Sequence, residues 1–390
     1  MTVAVLPDGS WRVLYRWRTD VTAYADGTEQ RARTSSLPRV YYSGAYLLTD
    51  DQSRDLTARL RLTQGQGALP ATLGAYALPL AHEGTPALAA ITSTAATVDA
   101  TYLDWLAVGR GVVVVGPGGS YATEIDAVSG GSLTLADAPP SGAYPAGATR
   151  IYPTEPVYLE DGQQVTRYAV SRARWQIAAR QATAAAIGGT GGASAPTLGG
   201  LPIVASRPLL AGADGEAWAA GAEWADAGGA VAVSTTRLLG ARQRSGAWLI
   251  RTPAERQGWK ALLGTLAGRW RPCLLPTWRP DLTIHTQPAG SATALRVADS
   301  EADPLYDAGA LPRVQVEYAD GSVSYHATTS ATPGSGYVDL GISPALASTI
   351  PGGSVATVSL LERVRLDTDD VMIEWTGDGI GRLALPFVTV

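Results

Sequence analysis

The sequence predicts a mainly β protein: two tandem copies of a β-sandwich or β-barrel unit, each with one packed helix and a small inserted β-subdomain. Three observations predict it. Glycine (44) and proline (25) are abundant and scattered through the 390 residues, which suits short strands and tight turns better than long helices. Segments such as 121–128, YATEIDAV, alternate with the period of two that a half-buried strand requires. One series of local signals also occurs twice in the same order, roughly 200 residues apart, as an internal repeat would.

The repeat starts at Trp11 and Trp17, whose spacing returns as Trp218 and Trp224. Arg31 and Arg33 return as Arg242 and Arg244, each pair leading into an apolar strand, 39–48 and 245–250. These eight residues are the candidate structural and interface contacts, because aromatic side chains and arginine are enriched where protein surfaces meet. Thr49-Asp50-Asp51-Gln52 and Thr252-Pro253-Ala254-Glu255 follow. Both read as capping boxes, with Pro253 at the first helical position, where a missing N–H costs nothing. Leu56, Leu60 and Leu62 supply the apolar spacing of the first helix, and Trp259, Leu262, Leu263 and Leu266 that of the second. A proline-punctuated strand follows each helix (68–80 and 271–278), and paired closing strands end each copy (164–178 and 370–387).

Residues 181–200, QATAAAIGGTGGASAPTLGG, are small and uncharged and read as a flexible linker. The first unit is then 1–84 with 159–180, carrying an inserted β-subdomain at 85–158. The second is 201–287 with 363–390, carrying an insert at 288–362. Asp-Gly pairs, as at 320–321, supply tight turns in a chain that has no asparagine.

Little in the sequence points to catalysis. His82, His285 and His326 have no metal-ligand spacing, no GxSxG elbow occurs, and Gly377–Gly381 reads as a hairpin turn. The single Cys273 excludes an intrachain disulfide and a cysteine-based zinc site. Asp50 and Asp51 suit a helix N-terminus. Asp299, Glu301 and Asp303 lack the register of an EF-hand, and Asp367, Asp369 and Asp370 read as a solvated turn. The lone lysine, Lys260, reads as coding bias. Net charge is -5 and no arginine run forms a basic stripe, so no nucleic-acid recognition is expected. No apolar run reaches the roughly 20 residues of a membrane span, and the start lacks a signal peptide, so folding in a cytoplasm is expected. No cofactor is expected.

The tryptophan-rich start, Asp26 to Arg31 (DGTEQR), the aromatic strand, the capped helix and Gly268 to Leu282 (GRWRPCLLPTWRPDL) together resemble tail-tip proteins of long-tailed bacteriophages. The resemblance is to distal tail proteins and the tube-like domains of baseplate hubs. It implies a structural, non-enzymatic ring at the virion tail tip. Its implied partners are further copies of itself, the tail tube protein, the baseplate hub and the tail fibres. Simple distal tail proteins have one tube-like domain, and here there are two, so a distal ring and an adjacent hub or collar protein both stay open. Three doubled chains make six units, and a hexamer is the other option. The alternative function is a saccharide- or receptor-binding module acting through the inserted subdomains.

Overall fold

The computed structural model describes residues 5–23, 29–64, 76–140, 142–160, 163–169, 172–188, 195–209, 215–219, 222–226, 231–235, 241–298, 313–376 and 379–390. The fold is mainly β, with two α-helices among these residues. In the first copy β1 (Pro7–Arg16), β2 (Thr19–Ala23), β3 (Glu29–Arg33) and β4 (Arg39–Thr49) lead into α1 (Asp50–Gln64) and β5 (Tyr76–Pro79). An inserted series follows: β6 (Thr85–Pro86), β7 (Ala95–Thr97), β8 (Gly111–Gly116), β9 (Gly119–Ser129) and β10 (Ser132–Leu135). The closing strands are β11 (Arg150–Leu159), β12 (Gln164–Ala169) and β13 (Arg172–Gln181). A small hairpin, β14 (Thr197–Leu198) with β15 (Leu201–Pro202), separates the copies.

The second copy opens with β16 (Gly215–Ala219), β17 (Ala222–Asp226), β18 (Val231–Thr235) and β19 (Ala241–Ile250), then α2 (Pro253–Leu266) and β20 (Cys273–Pro276). Its insert holds β21 (Ile284–Thr286), β22 (Ala294–Ala298), β23 (Arg313–Tyr318), β24 (Val323–Pro333) and β25 (Tyr337–Ser343). It closes with β26 (Val355–Leu366), β27 (Asp370–Thr376) and β28 (Ile380–Thr389).

The pairings repeat as well as the order. β4 lies between β1 and β13, as β19 lies between β16 and β28. β13 pairs with β12, as β28 pairs with β27. β11 pairs with β5, β8 and β13, as β26 pairs with β20, β23 and β28. Both capping boxes form: Thr49 and Gln52 bond reciprocally at α1, and Thr252 and Glu255 do so at α2. The first turn of each helix therefore has partners for amides that would otherwise lack them.

Register corrects the residue correspondence read from spacing alone. Ser43-Gly44-Ala45 on β4 occupies the place of Ser245-Gly246-Ala247 on β19. On that footing Trp218, opposite Arg242, stands where Tyr15 stands opposite Val40. Trp224 then matches Val21, not Trp17, and Arg31 and Arg33 match Val233 and Thr235 on β18. Arg242 and Arg244 instead occupy the positions of Val40 and Tyr42. Residue types recur by chance at similar spacing, whereas strand pairing admits no slip without reversing every inward side chain.

One core serves both copies. Trp11, Tyr46, Leu48, Trp175 and Ile177 pack with Trp248, Trp259, Leu263, Leu366 and Phe387. Each insert has its own core, the first spanning Ala87 to Ile151 and the second Leu282 to Val358. β11 and β26 run unbroken from insert into shared sheet, so each insert is rooted by a continuous strand. Part of the segment read as a flexible linker is packed: Ile187 lies against the shared core. Its carbonyl oxygen occupies the place a Cβ on Gly264 of α2 would take. Glycine there admits the close approach, and this contact is what spacing and composition could not reveal. Residues 189–194 of the segment lie outside the described residues.

Leu263 is fully buried in the shared core, so Leu263→Ala should cost about 2–5 kcal/mol. Denaturant unfolding followed by both tryptophan fluorescence and far-UV circular dichroism should show one coincident transition moved to lower midpoint. Two separated transitions would contradict a core common to both copies.

Candidate assembly interface

The joint between the copies is a strand ladder. β1 pairs antiparallel with β27 from Ser10–Thr376 to Arg16–Asp370. Eight strands thus run without a break in the order β12, β13, β4, β1, β27, β28, β19, β16. One side of the ladder is apolar: Trp11, Val13 and Tyr15 lie opposite Trp375, Ile373 and Val371, all buried. Trp11 also stacks on Tyr42 at 5.7 Å between ring centroids.

The other side is charged. Arg12 binds Glu374 at 3.1 and 3.2 Å, and Arg16 binds Asp370 through two bonds of 2.7 and 2.9 Å. Exposed pairs of this kind contribute roughly 0.2–1 kcal/mol each, so they fix register more than they add stability.

Asp367, Asp369 and Asp370, expected as a solvated turn, are part of the seam. The Asp369 carboxylate accepts from the Thr19 amide at 2.7 Å and the Arg269 amide at 2.9 Å, and its carbonyl accepts from Trp17 at 3.0 Å. One residue thus ties both copies. Nearby, Arg365 forms two 2.8 Å bonds to Glu29 and one of 3.1 Å to Asp367. Burial opposes the Arg365 charge, but the Glu29 and Asp367 carboxylates override it and raise its pKa. Arg31 donates to the Trp270 carbonyl at 3.2 Å.

The most buried part of the seam joins α2 to the root of the first insert. The Arg256 guanidinium bonds to the His82 carbonyl, and Gln257 bonds to the Tyr102 carbonyl at 3.1 Å. Lys260 reaches Glu83 at 3.1 Å and also bonds to Asp104. Arg256 Nε lies 3.2 Å from Glu83 Oε2, close enough for an ion pair though not aligned for a hydrogen bond. Burial works against the Glu83 charge, yet Lys260 and Arg256 outweigh it and hold the carboxyl at about 2. The His82 ring stacks on Trp375 at 4.8 Å. Burial lowers its pKa to about 3, so it is neutral here. Burial also raises Tyr15 to about 12.

Of the eight sequence candidates, Trp11, Trp17 and Arg31 lie at this joint. Arg33 does not: it staples its own turn through the Ser35 and Ser36 carbonyls. Arg242 and Arg244 clamp Glu362 inside the second copy, with Arg244 also bonded to the Pro276 carbonyl at 3.2 Å. Trp218 is on β16, and Trp224 is on the β17–β18 hairpin. Sequence reasoning missed Glu83, Asp104, Arg256 and Lys260. The signal available was that the chain's single lysine falls on a predicted apolar helix.

The joint leaves matching ends. β12 occupies in the first copy the position of β27 in the second, and β16 that of β1. Among the described residues β12 pairs only with β13, and β16 only with β19. The consequence is visible at equivalent positions: Ile373 on β27 is 1% exposed under β1, whereas Val165 on β12 is 45% exposed. No protein-family model matches the chain, and no curated protein matches it.

The titrations of the seam set a pH dependence. Glu83 titrates at about 2 when folded, against roughly 4.3 unfolded. Its contribution is complete above the ordinary carboxylate range and is lost as pH falls toward 2. His82 is neutral when folded down to about 3, so below roughly 6.5 the unfolded chain takes up the proton first and stability declines. Both effects have the same sign. The melting temperature should fall steadily from pH 7 to pH 4. His82→Phe, which keeps the stack on Trp375, should flatten the profile below pH 6.5. A wild-type profile that is level over that range would contradict the assignment.

Proposed function

We propose that this chain is a structural, non-enzymatic ring component of a bacteriophage tail tip, joining the tail tube to the hub and fibre apparatus. The observation that carries the ring is the β1–β27 joint, which, among the described residues, leaves an unpaired β12 edge at one end of the sheet and an unpaired β16 edge at the other. An exposed strand edge is a template for another chain. Here the template and its complement belong to one molecule, so association is head-to-tail, and a head-to-tail interface closes into a ring when its rotation divides a circle. The internal joint supplies the register. Gly215, Glu216 and Ala217 of one chain meet Thr166, Val165 and Gln164 of the next, as Arg12, Val13 and Leu14 meet Glu374, Ile373 and Met372.

α2 and the shared core occupy one side of the sheet, so the opposite face lines the bore when the sheet closes. Three chains give six similar units, able to meet a sixfold tube on one side and a threefold hub on the other. What supports the tail-tip setting is the resemblance carried by 26–31 and 268–282, together with a repeated unit made of sheet, one packed helix and a β insert.

Two measurements test this. In the native chain carrying Gln164→Cys and Ala217→Cys, mild oxidation should give covalent ladders of whole chains, while either single change should give dimers at most. Val165→Glu places a like charge opposite Glu216 of the neighbouring chain, in the middle of the new joint. Because Val165 is already half exposed, its melting temperature should move by only a few degrees while light scattering reports monomer in place of a discrete trimer. Assembly that persists in Val165→Glu would refute the edge pairing.

A further inference from the structure

The sheet face turned away from the core carries charge that the overall composition conceals. Arg12, Arg16, Arg39, Arg172, Arg174, Arg180 and Arg382 are all exposed on it, against the acidic residues Asp8, Asp370 and Glu374, which pair with Arg174, Arg16 and Arg12. Six of these seven arginines belong to the first copy, in a chain whose net charge is -5. The second copy is an internal control for what the scaffold itself needs. At the positions of Arg12, Arg16, Arg39, Arg172 and Arg180 it has Gly215, Ala219, Ala241, Ile380 and Val388. The same fold forms there without them, so Arg39, Arg172 and Arg180 are not required by the sheet, while Arg12 and Arg16 also pair across the β1–β27 joint.

Their arrangement has a centre. Arg180 lies directly between Tyr41 on β4 and Tyr158 on β11. Arg39 lies opposite Arg16, whose guanidinium sits 5.1 Å above the Tyr41 ring. Arg39, Arg180 and Tyr158 line a cleft of about 250 Å³ to which no acidic side chain contributes. Among the described residues, neither Arg39 nor Arg180 forms an ion pair. Guanidinium forks match phosphate oxygens in pairs, and tyrosine rings beside them offer faces for stacking. An acidic peptide would need apolar pockets for its affinity, and the apolar aliphatic lining of this cleft is only Val40, Ala182 and Ala184.

We propose that the arginine–tyrosine cleft at Arg39 and Arg180, with the basic sheet face around it, is a sequence-independent binding site for the nucleic-acid backbone. The site is complete within one chain, so it does not depend on ring closure.

The test is fluorescence anisotropy with labelled duplex and single-stranded DNA of random sequence, titrated with the full chain at about 50 and 200 mM salt. Binding should weaken with salt at a slope of about -0.9 per neutralised phosphate on duplex. Arg39→Ala/Arg180→Ala should lower affinity by about tenfold or more and reduce that slope by about 2. Arg54→Ala on the exposed side of α1 makes the same kind of charge change elsewhere and should leave binding unaltered; unchanged melting temperatures check that each variant is folded. Equal binding by the double variant and the wild type overturns the proposal, as does an equal loss in Arg54→Ala. Tighter binding of polyglutamate than of DNA also overturns it, by identifying an acidic protein as the ligand. Displacement of DNA by millimolar inorganic phosphate overturns it in favour of a free-phosphate site.

Discussion

The fold depends on a strand ladder between β1 and β27. Without it the two copies would be separate sheets, each with a bare apolar edge. With it, Trp11, Val13 and Tyr15 bury against Val371, Ile373 and Trp375, and one core extends through both copies. The apolar side of the ladder supplies the driving force, since burying each such side chain is worth roughly 1.5–3 kcal/mol. The charged side, where Arg12 and Arg16 meet Glu374 and Asp370, fixes which residue faces which. Duplication thereby turns what would be a contact between two molecules into a contact within one.

The buried charges beside the ladder have a different role. Glu83, Lys260, Arg256 and Asp104 meet between α2 and the first insert, where desolvation consumes much of their attraction. They discriminate more than they stabilise, because a misplaced neighbour would leave a buried charge unpaired. The equivalent root in the second copy has Arg279 and Pro280 in place of His82 and Glu83, as the matching pairs Thr85–Ile151 and Leu282–Val358 require. The two ends of the molecule therefore differ chemically while sharing backbone geometry. On the ring reading, contacts within a chain and contacts between chains alternate and are not interchangeable.

Local signals in the sequence were legible because they act over a few residues. The capping boxes at Thr49 and Thr252, the alternation in β9, and the tight turn at Asp320-Gly321 follow from short-range geometry. The doubled architecture was also legible, since each unit brings its own helix start and proline-marked strand. The pairing of Trp11 with Trp218 and of Arg31 with Arg242 was not, because similarity of residue type does not fix register and strand pairing does. Nor was the role of Lys260, whose partners lie far away in sequence at Glu83 and Asp104. The basic face escaped for the same reason: its arginines come from strands scattered between residues 12 and 382. A sheet gathers them on one side, and no linear stretch contains them.

The most direct measurement is hydrogen exchange of backbone amides, comparing β12 with β27 in dilute and in concentrated native protein. In the monomer, amides of β12 that face the open edge should exchange freely while those of β27 are protected by β1. In the assembled fraction, β12 should slow to the level of β27, with β16 slowing alongside it. Assembled particles in which β12 still exchanges as fast as in the monomer would contradict the edge-to-edge account.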